Sequence, residues 1–342
     1  YLHKVYYAKN EGGAYGELLI MVPSNGFYPK YLYYIIFNKS FIDVVDGFTQ
    51  GTKMPRANWD GFINQLKIPY TKDRNKQQKI ADYLDQKTSQ IDTIIARKEK
   101  LIELLKEERT AIINQAVTKS LNPDVEMKPS GIDWLGDIPK DWEVVKFNHF
   151  VYLKHGYQFR DYDFTSSGIK IVKITQLKSD GSIDLSNASY IDESRFEEFE
   201  DITINNDDIL MALTGGTIGK IVKVKDLKEC ALQNYRVGNF IPTNTNLSKD
   251  FLFWVLSSQV ILGQLFYAQR ETGQPNIGKE DFSKMKFALP NWQQQKSICC
   301  YLNFETKRID TIITKTEKQI ELLKEYKTAL INEVVTGQMI VD

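Results

Sequence analysis

Four short clusters gather side chains suited to holding flat, polar or charged ligands. Lys154-His-Gly-Tyr-Gln-Phe-Arg160 sets two aromatics, a Gln and an Arg beside a glycine. Lys173, Thr175 and Gln176 follow an apolar run, and Gln233-Asn-Tyr-Arg236 and Arg270-Glu-Thr-Gly-Gln-Pro-Asn276 have a similar composition. Gln and Arg can make paired contacts to adenine and guanine edges, while Lys and Tyr can reach phosphates. The same residues also suit ordinary solvated turns, so no cluster decides the matter alone.

Motifs for other chemistry fail on inspection. Gly215-Gly-Thr-Ile-Gly-Lys220 resembles a phosphate loop, but Thr214 stands where its first Gly belongs and Ile221 where Ser or Thr would hold magnesium. It reads as a turn joining two strands. There is no HExxH or CxxC pair, and His3, His149 and His155 are too few and too scattered for a metal site. A methyltransferase acting on adenine amino groups would carry Asn/Asp-Pro-Pro-aromatic, which Asn122-Pro-Asp124 does not match. The chain is therefore expected to perform no chemistry and to hold no metal.

The elements that position these clusters are bounded by composition. The 342 residues suggest two to three domains, and 42% hydrophobic with 26% charged residues is ordinary globular usage. The 44 basic residues balance 44 acidic ones, and segments 1–73, 74–118 and 134–295 carry +2, +2 and −3. A nucleic-acid role must then rest on local patches and on partners that supply phosphate contacts. No 18-residue apolar run is present. Cys230, Cys299 and Cys300 form an odd, unpatterned set that suggests a reducing, cytoplasmic setting. With Tyr1 in place of Met, the native start is expected to lie outside this sequence.

Self-similarity organises the chain. Tyr83–Thr118 and Tyr301–Thr336 align at an offset of 218 with 22 identities in 36 positions. They share Ile-Asp-Thr-Ile-Ile at Ile91–Ile95 and Ile309–Ile313, and Ile-Glu-Leu-Leu-Lys-Glu at Ile102–Glu107 and Ile320–Glu325. Upstream, Tyr31–Ile36 lies over Phe251–Leu256, and both copies enter a Gln-Gln-Lys step, Gln77–Lys79 and Gln294–Lys296. The order is globular piece, helix, globular piece, helix. Residue 1 aligns only to about residue 218, so roughly the first half of a first domain is expected to be absent from this sequence.

Both helices carry heptads. Leu84, Ile91, Lys98, Leu105 and Ile112 recur every seven residues, as do Leu302, Ile309, Thr316, Leu323 and Leu330. Such spacing argues for a coiled coil, and a helix of 45 residues would span about 68 Å. Two copies suggest that each is the other's partner, the alternative being separate packing on other subunits. Lys98 and Thr316 form a polar layer able to set register. Lys119–Gly131 is a linker broken by Asn122-Pro123 and Pro129-Ser-Gly131.

Residues 134–245 read as short strands at Glu143–Phe147, Ile169–Ile174, Ile209–Leu213, Ile218–Val224 and Tyr235–Phe240, and 248–268 as helix. The fold class is α+β: two mixed α/β domains, the first incomplete, with two long helices pairing as an antiparallel coiled coil. The divisions are residues 1–73 for the first domain piece, 74–118 for the first helix and 119–133 for the linker, with 134–295 for the second domain and 296–342 for the second helix.

Ser130-Gly-Ile-Asp-Trp-Leu-Gly-Asp-Ile-Pro-Lys-Asp-Trp-Glu-Val144 resembles the segment that opens a target-recognition domain in specificity subunits of type I restriction-modification enzymes. Leu289-Pro290, Gln294-Gln295-Lys296 and the Ile-Asp-x-Ile-Ile helix resemble that family's closing segment. Trp292 and Gln294 stand where Pro and Glu are usual.

The resemblance implies a non-catalytic subunit that reads a bipartite DNA target, one half-site per domain, with the paired helices setting the gap. It implies docking of two methylation subunits and of restriction subunits, with S-adenosylmethionine, ATP and magnesium held only by those partners, in the cytoplasm and away from membranes. On this reading Tyr157, Gln158, Arg160, Gln176, Arg270 and Gln274 read bases, and Lys154, Lys173 and Lys220 meet phosphates. Ile91, Ile95, Ile102, Leu105, Ile309, Ile313, Ile320 and Leu323 then serve the spacer helices and subunit docking. The rival reading, supported by zero net charge and the heptads, is a coiled-coil scaffold without DNA readout.

Overall fold

The computed structural model describes residues 5–15, 18–24, 26–48, 59–178, 181–272 and 277–341, with the backbone alone at 266–272. The chain begins with helices α1 (Pro29–Phe37) and α2 (Lys39–Gly47) and the long α3 (Arg74–Lys119). Short elements follow: β1 (Met127–Pro129), β2 (Asp137–Pro139), β3 (Glu143–Lys146), α4 (Phe147–Phe150), β4 (Val151–His155), β5 (Ile169–Val172) and β6 (Ser189–Ile191). Next come α5 (Phe196–Phe199), β7 (Ile209–Ala212), β8 (Ile221–Lys223), β9 (Ala231–Gln233) and β10 (Val237–Pro242). Then come α6 (Lys249–Ser257), α7 (Gln259–Thr272), α8 (Lys279–Ser283), β11 (Lys286–Leu289) and the second long helix, α9 (Trp292–Val335). Two compact units result, one from residues 1–105 and 311–342, the other from 106–310.

Each long helix starts at a side-chain cap. Asp73 Oδ1 accepts from the backbone N–H of Asn75 (2.9 Å) and Lys76 (3.3 Å) before α3. Asn291 and Gln294 bond reciprocally, side chain to backbone, at 3.0 and 3.2 Å. This capping box starts α9 at Trp292, so the polar step before Lys296 is already its first turn.

In the first unit, α1 begins with Pro29, whose ring pre-sets the helical φ. Asn38 accepts from Ser40 N–H to cap α2. Tyr31, Tyr34 and Ile35 of α1 share one core with Ala81, Leu84, Ile91 and Ile95 of α3 and with Ile320, Leu330, Ile331 and Val334 of α9. Ile102 and Leu323 pack, partly buried, against that core. Lys98 Nζ donates to Gln319 Oε1 at 2.6 Å, and Lys327 pairs with Asp92 at 2.7 Å. Partner numbers fall along one helix as they rise along the other, so the pair is antiparallel. Thr316, 4% exposed, donates instead to the Ile312 carbonyl of its own helix.

In the second unit the pairing continues through Arg109 with Asp310 (3.0 Å) and Arg308 with Glu108 (3.3 Å). Ile113, Ala116 and Val117 of α3 share a core with Ile298 and Leu302 of α9. Exposed ion pairs contribute roughly 0–1 kcal/mol each. A fully buried large aliphatic side chain contributes about 1.5–3 kcal/mol, so the apolar seam holds the helices together.

The same unit carries the sheets. β4-β10-β7-β8 form an antiparallel sheet, β6-β5-β9 a mixed one with β5 parallel to β9, and β11 pairs with β3. β7 is buried on both faces: Ile209 and Met211 enter the largest core, Leu210 and Ala212 a second one opposite. In the largest core Phe147, Phe240 and Phe282 meet ring to ring at 4.9–6.1 Å.

Two local details differ from the sequence expectation. The helix expected over 248–268 is two helices, because Ser258 is extended (ψ 158°) and donates its hydroxyl to the Val255 carbonyl. Six short strands (β1, β2, β4, β6, β9 and β11) were not anticipated. The glycine-rich Gly215–Lys220 does join two antiparallel strands, β7 and β8.

Candidate nucleic-acid interface

The site is built in the second unit where the chain leaves β4, β5 and β9. Beyond β4, Tyr157 N–H donates to the Gln233 carbonyl (3.1 Å), and Tyr235 N–H donates back to the Tyr157 carbonyl (2.9 Å). Asn234 N–H donates to the Val172 carbonyl (3.1 Å), which adds the end of β5. Gln233, 1% exposed, donates its amide to the carbonyls of Lys154 (2.9 Å) and Val237 (2.6 Å). Gly156 makes the crossing possible, since a Cβ there would overlap the Gln233 carbonyl oxygen. Its role is close backbone approach rather than flexibility.

These segments enclose a cleft of about 620 Å³. Arg160, Lys173 and Arg236 bring positive charge to it, Tyr162, Phe164 and Tyr235 bring rings, and Asp161 is its one lining carboxylate. Lys173 Nζ lies 4.2 Å from the Phe164 ring centre and donates to Ser189 Oγ at 2.7 Å. Its partial burial lowers its pKa from the usual lysine value.

The loop that presents Arg160 and Tyr162 is anchored from below. Asp163, 3% exposed, accepts from Arg160 N–H at 2.7 Å and from the Arg195 guanidinium at 2.8 Å. These bonds hold its carboxyl below the ordinary aspartate pKa, the Arg160 amide contributing most. Arg195 also bonds Glu198 (2.9 Å) and lies 5.0 Å from the centre of Phe199. Phe199 completes an aromatic trio with Tyr157 (4.9 Å) and Phe159 (5.1 Å).

The residues singled out from sequence divide accordingly. Gln158 and Arg160 are exposed and line the cleft with Lys173, and Tyr157, 43% exposed, stands at the base of the same loop. Gln176 does not join them. At 5% exposure it accepts from Lys173 N–H (3.1 Å) and Thr175 Oγ1 (3.1 Å) and donates to the Asn187 carbonyl (3.3 Å). It shapes the turn and offers no free edge to a base. Lys154 and Lys220 donate to the carbonyls of Asp201 and Leu177. Gln274 and the side chain of Arg270 lie outside the described residues.

Of the spacer set, Ile91, Ile95, Leu105, Ile309, Ile313 and Ile320 are buried, and Ile102 and Leu323 are half-buried. Inward burial suits them to holding the helices and not to meeting another protein. The base and phosphate contacts expected from sequence include neither Tyr162 nor the Tyr235 and Arg236 of the Gln233–Arg236 cluster. The Gln233–Arg236 cluster was visible as a polar turn, but only its backbone bonds to Tyr157 bring it beside Arg160. Among the described residues no group of three His, Cys, Asp or Glu side chains is placed to hold a metal ion, and no helix is long and apolar enough to cross a membrane.

Comparison with known proteins agrees with this architecture. The family described as "Type I restriction modification DNA specificity domain" matches residues 139–322. The type I restriction enzyme MjaVIII specificity subunit of Methanocaldococcus jannaschii is 30% identical over 85% of this chain and 66% of its own length. The EcoBI specificity subunit of Escherichia coli is 24% identical over 65% of this chain and 48% of its own. A chain from a solved structure on complex assembly and conformational transition of a type I R-M system superposes with a TM-score of 0.70 at 12% identity, covering 92% of this chain and 72% of that one. The fold and its paired helices thus define a type I specificity architecture, and the chain belongs to the type I restriction-modification DNA specificity family. It spans 66% and 48% of the lengths of the two named specificity subunits.

Proposed function

We propose that this chain is the DNA sequence-recognition subunit of a type I restriction-modification complex. The observation that carries the reading is the cleft where three chain segments converge with cations and aromatic rings, in a chain that belongs to this family. The cleft presents Gln158 and Arg160 to base edges in the major groove, where each base pair has a distinct donor and acceptor pattern. Lys173 serves the phosphates beside it. Near-neutral overall charge is compatible with this role, because partner subunits clamp the duplex and supply much of the phosphate contact.

The antiparallel helices act as the ruler between the half-sites of a bipartite target. Two methylation subunits dock on them, and restriction subunits join the assembly. Leu101, Leu104, Leu322 and Tyr326, each 42–56% exposed, are better placed for docking than the buried heptad residues. The chain itself is non-catalytic. The methylation subunits bind S-adenosylmethionine and flip the target adenine into their own pocket, and the restriction machinery uses ATP and magnesium, in the cytoplasm.

Mapping methylated adenine in cells that carry this gene and its partner genes, with and without deletion of this gene, tests the reading. Loss of one interrupted two-part motif on deletion is expected. An unchanged methylation pattern would overturn it and leave a coiled-coil scaffold without DNA readout as the better account.

A further inference from the structure

Arg236 is held in a way that leaves a defined part of its guanidinium free. Its backbone N–H donates to Asn234 Oδ1 at 3.2 Å. Its Nε donates to the Tyr235 hydroxyl at 2.6 Å, with the guanidinium carbon 5.2 Å from the Tyr235 ring centre. Tyr235 is in turn fixed to the Tyr157 carbonyl through its own N–H. The side chain is exposed at the cleft, and among the described residues no carboxylate pairs with it. Arg195 shows the opposite arrangement, with its guanidinium spent on Asp163 and Glu198.

A guanidinium has five N–H donors in a rigid plane. With Nε committed to Tyr235, the two terminal nitrogens remain as a fork without a protein hydrogen bond among the described residues. Such a fork matches the paired O6 and N7 acceptors that guanine displays in the major groove. A phosphate can also take such a fork, but a phosphate contact carries no sequence information, so loss of discrimination at a single G·C position separates the two. Fixing Nε in advance also removes part of the ordering cost of a long side chain.

We propose that Arg236 reads a guanine in the half-site of this recognition domain and that Tyr235 is its positioning residue. The proposal rests on the DNA-recognition reading above and deepens it. The test uses the chain assembled with its methylation subunits and a set of duplexes in which each G·C pair of the mapped half-site is replaced in turn by A·T. Competition binding of the wild type and of Arg236→Ala, Arg236→Lys and Tyr235→Phe is measured at one fixed salt concentration.

Arg236→Ala and Arg236→Lys should both lose discrimination at one and the same G·C position, by about tenfold or more. They should keep it elsewhere. Tyr235→Phe, which retains the ring but not the acceptor, should lose part of it at that position. A Lys variant with wild-type discrimination, or an Ala variant weakened equally on every duplex, would mark Arg236 as a phosphate contact and overturn the proposal. A wild-type assembly with no sequence preference would instead defeat the DNA-recognition reading, a failure distinct from discrimination that survives in the variants.

Discussion

Gln77 and Gln295 make the same set of hydrogen bonds in the two copies of the repeat. Both are 0% exposed. Gln77 accepts from Tyr28 N–H (2.6 Å) and donates to the carbonyls of Thr71 (2.7 Å) and Gly26 (3.2 Å). Gln295 accepts from Ser248 N–H (2.9 Å) and donates to the carbonyls of Asn246 (2.7 Å) and Pro290 (2.9 Å). Each glutamine ties the first turn of a long helix to the residue before a short helix earlier in the chain, α1 for Gln77 and α6 for Gln295. The register of the repeat follows from this: Gln77 matches Gln295, one residue off the Gln-Gln-Lys match read from sequence.

Replacing Gln295 by Ala leaves the part-buried Ser248 N–H and Asn246 carbonyl and the buried Pro290 carbonyl without this partner. A stranded buried polar group costs about 1–3 kcal/mol, so a loss of at least that size is expected in chemical denaturation. A change below about 0.5 kcal/mol, typical of surface substitutions, would show that the staple is dispensable.

Gly156→Ala should disturb the crossing of the segments after β4 and β9. Steric overlap with the Gln233 carbonyl must displace Tyr157 from its backbone partners. The expected result is weaker sequence preference in DNA binding with the helical content of the circular dichroism spectrum retained. Wild-type preference in this variant would mean that the loops do not depend on that contact.

Asp163 makes the readout loop sensitive to acid. Its pKa is depressed in the fold, so its stabilising contribution is complete above about pH 4, the unfolded aspartate value, and is lost as pH falls through the lowered folded value. Asp163→Asn should be less stable at neutral pH and should lack this acid-dependent component. Unfolding free energies of both proteins from about pH 2 to pH 6 test this. Parallel curves would remove Asp163 as the anchor.

Arg160→Ala should relax specificity at one base pair, costing about 1–3 kcal/mol if both guanidinium ends engage the base. Methylation mapping of the variant reads this directly as a broadened letter in the motif. An unchanged motif would take Arg160 out of base readout.

Ile102→Pro places a ring inside α3 and should cost about 3 kcal/mol or more, because it removes one helical hydrogen bond and clashes with the preceding turn. The expected outcome is loss or alteration of the gap between half-sites in the methylated motif. An assembly that keeps the correct gap would refute the ruler role of the helices.

The long helices were legible because their signal is local and duplicated: heptads at Leu84–Ile112 and Leu302–Leu330 repeat with the same words. β7 was legible as a continuous apolar run, which a strand buried on both faces requires. β9 was not, since its three residues acquire a partner only when parallel β5 lies beside them. Gln158 and Gln176 looked alike in sequence, yet one lines the cleft and the other closes a turn inside the protein. Side-chain direction at a turn depends on the backbone bonds around it, and residue type does not encode it.

By itself the sequence determined the duplication, the two amphipathic helices and the family, because each is written in neighbouring residues or in near-verbatim repeats. Only the tertiary structure decided that Arg160, Lys173 and Arg236 share one cleft, that Gln176 is not part of it, and that Tyr235 braces Arg236. The shared cleft is made by hydrogen bonds between residues far apart in the chain, Tyr157 with Gln233 and Asn234 with Val172 among them. They form only once the strands that carry them have paired.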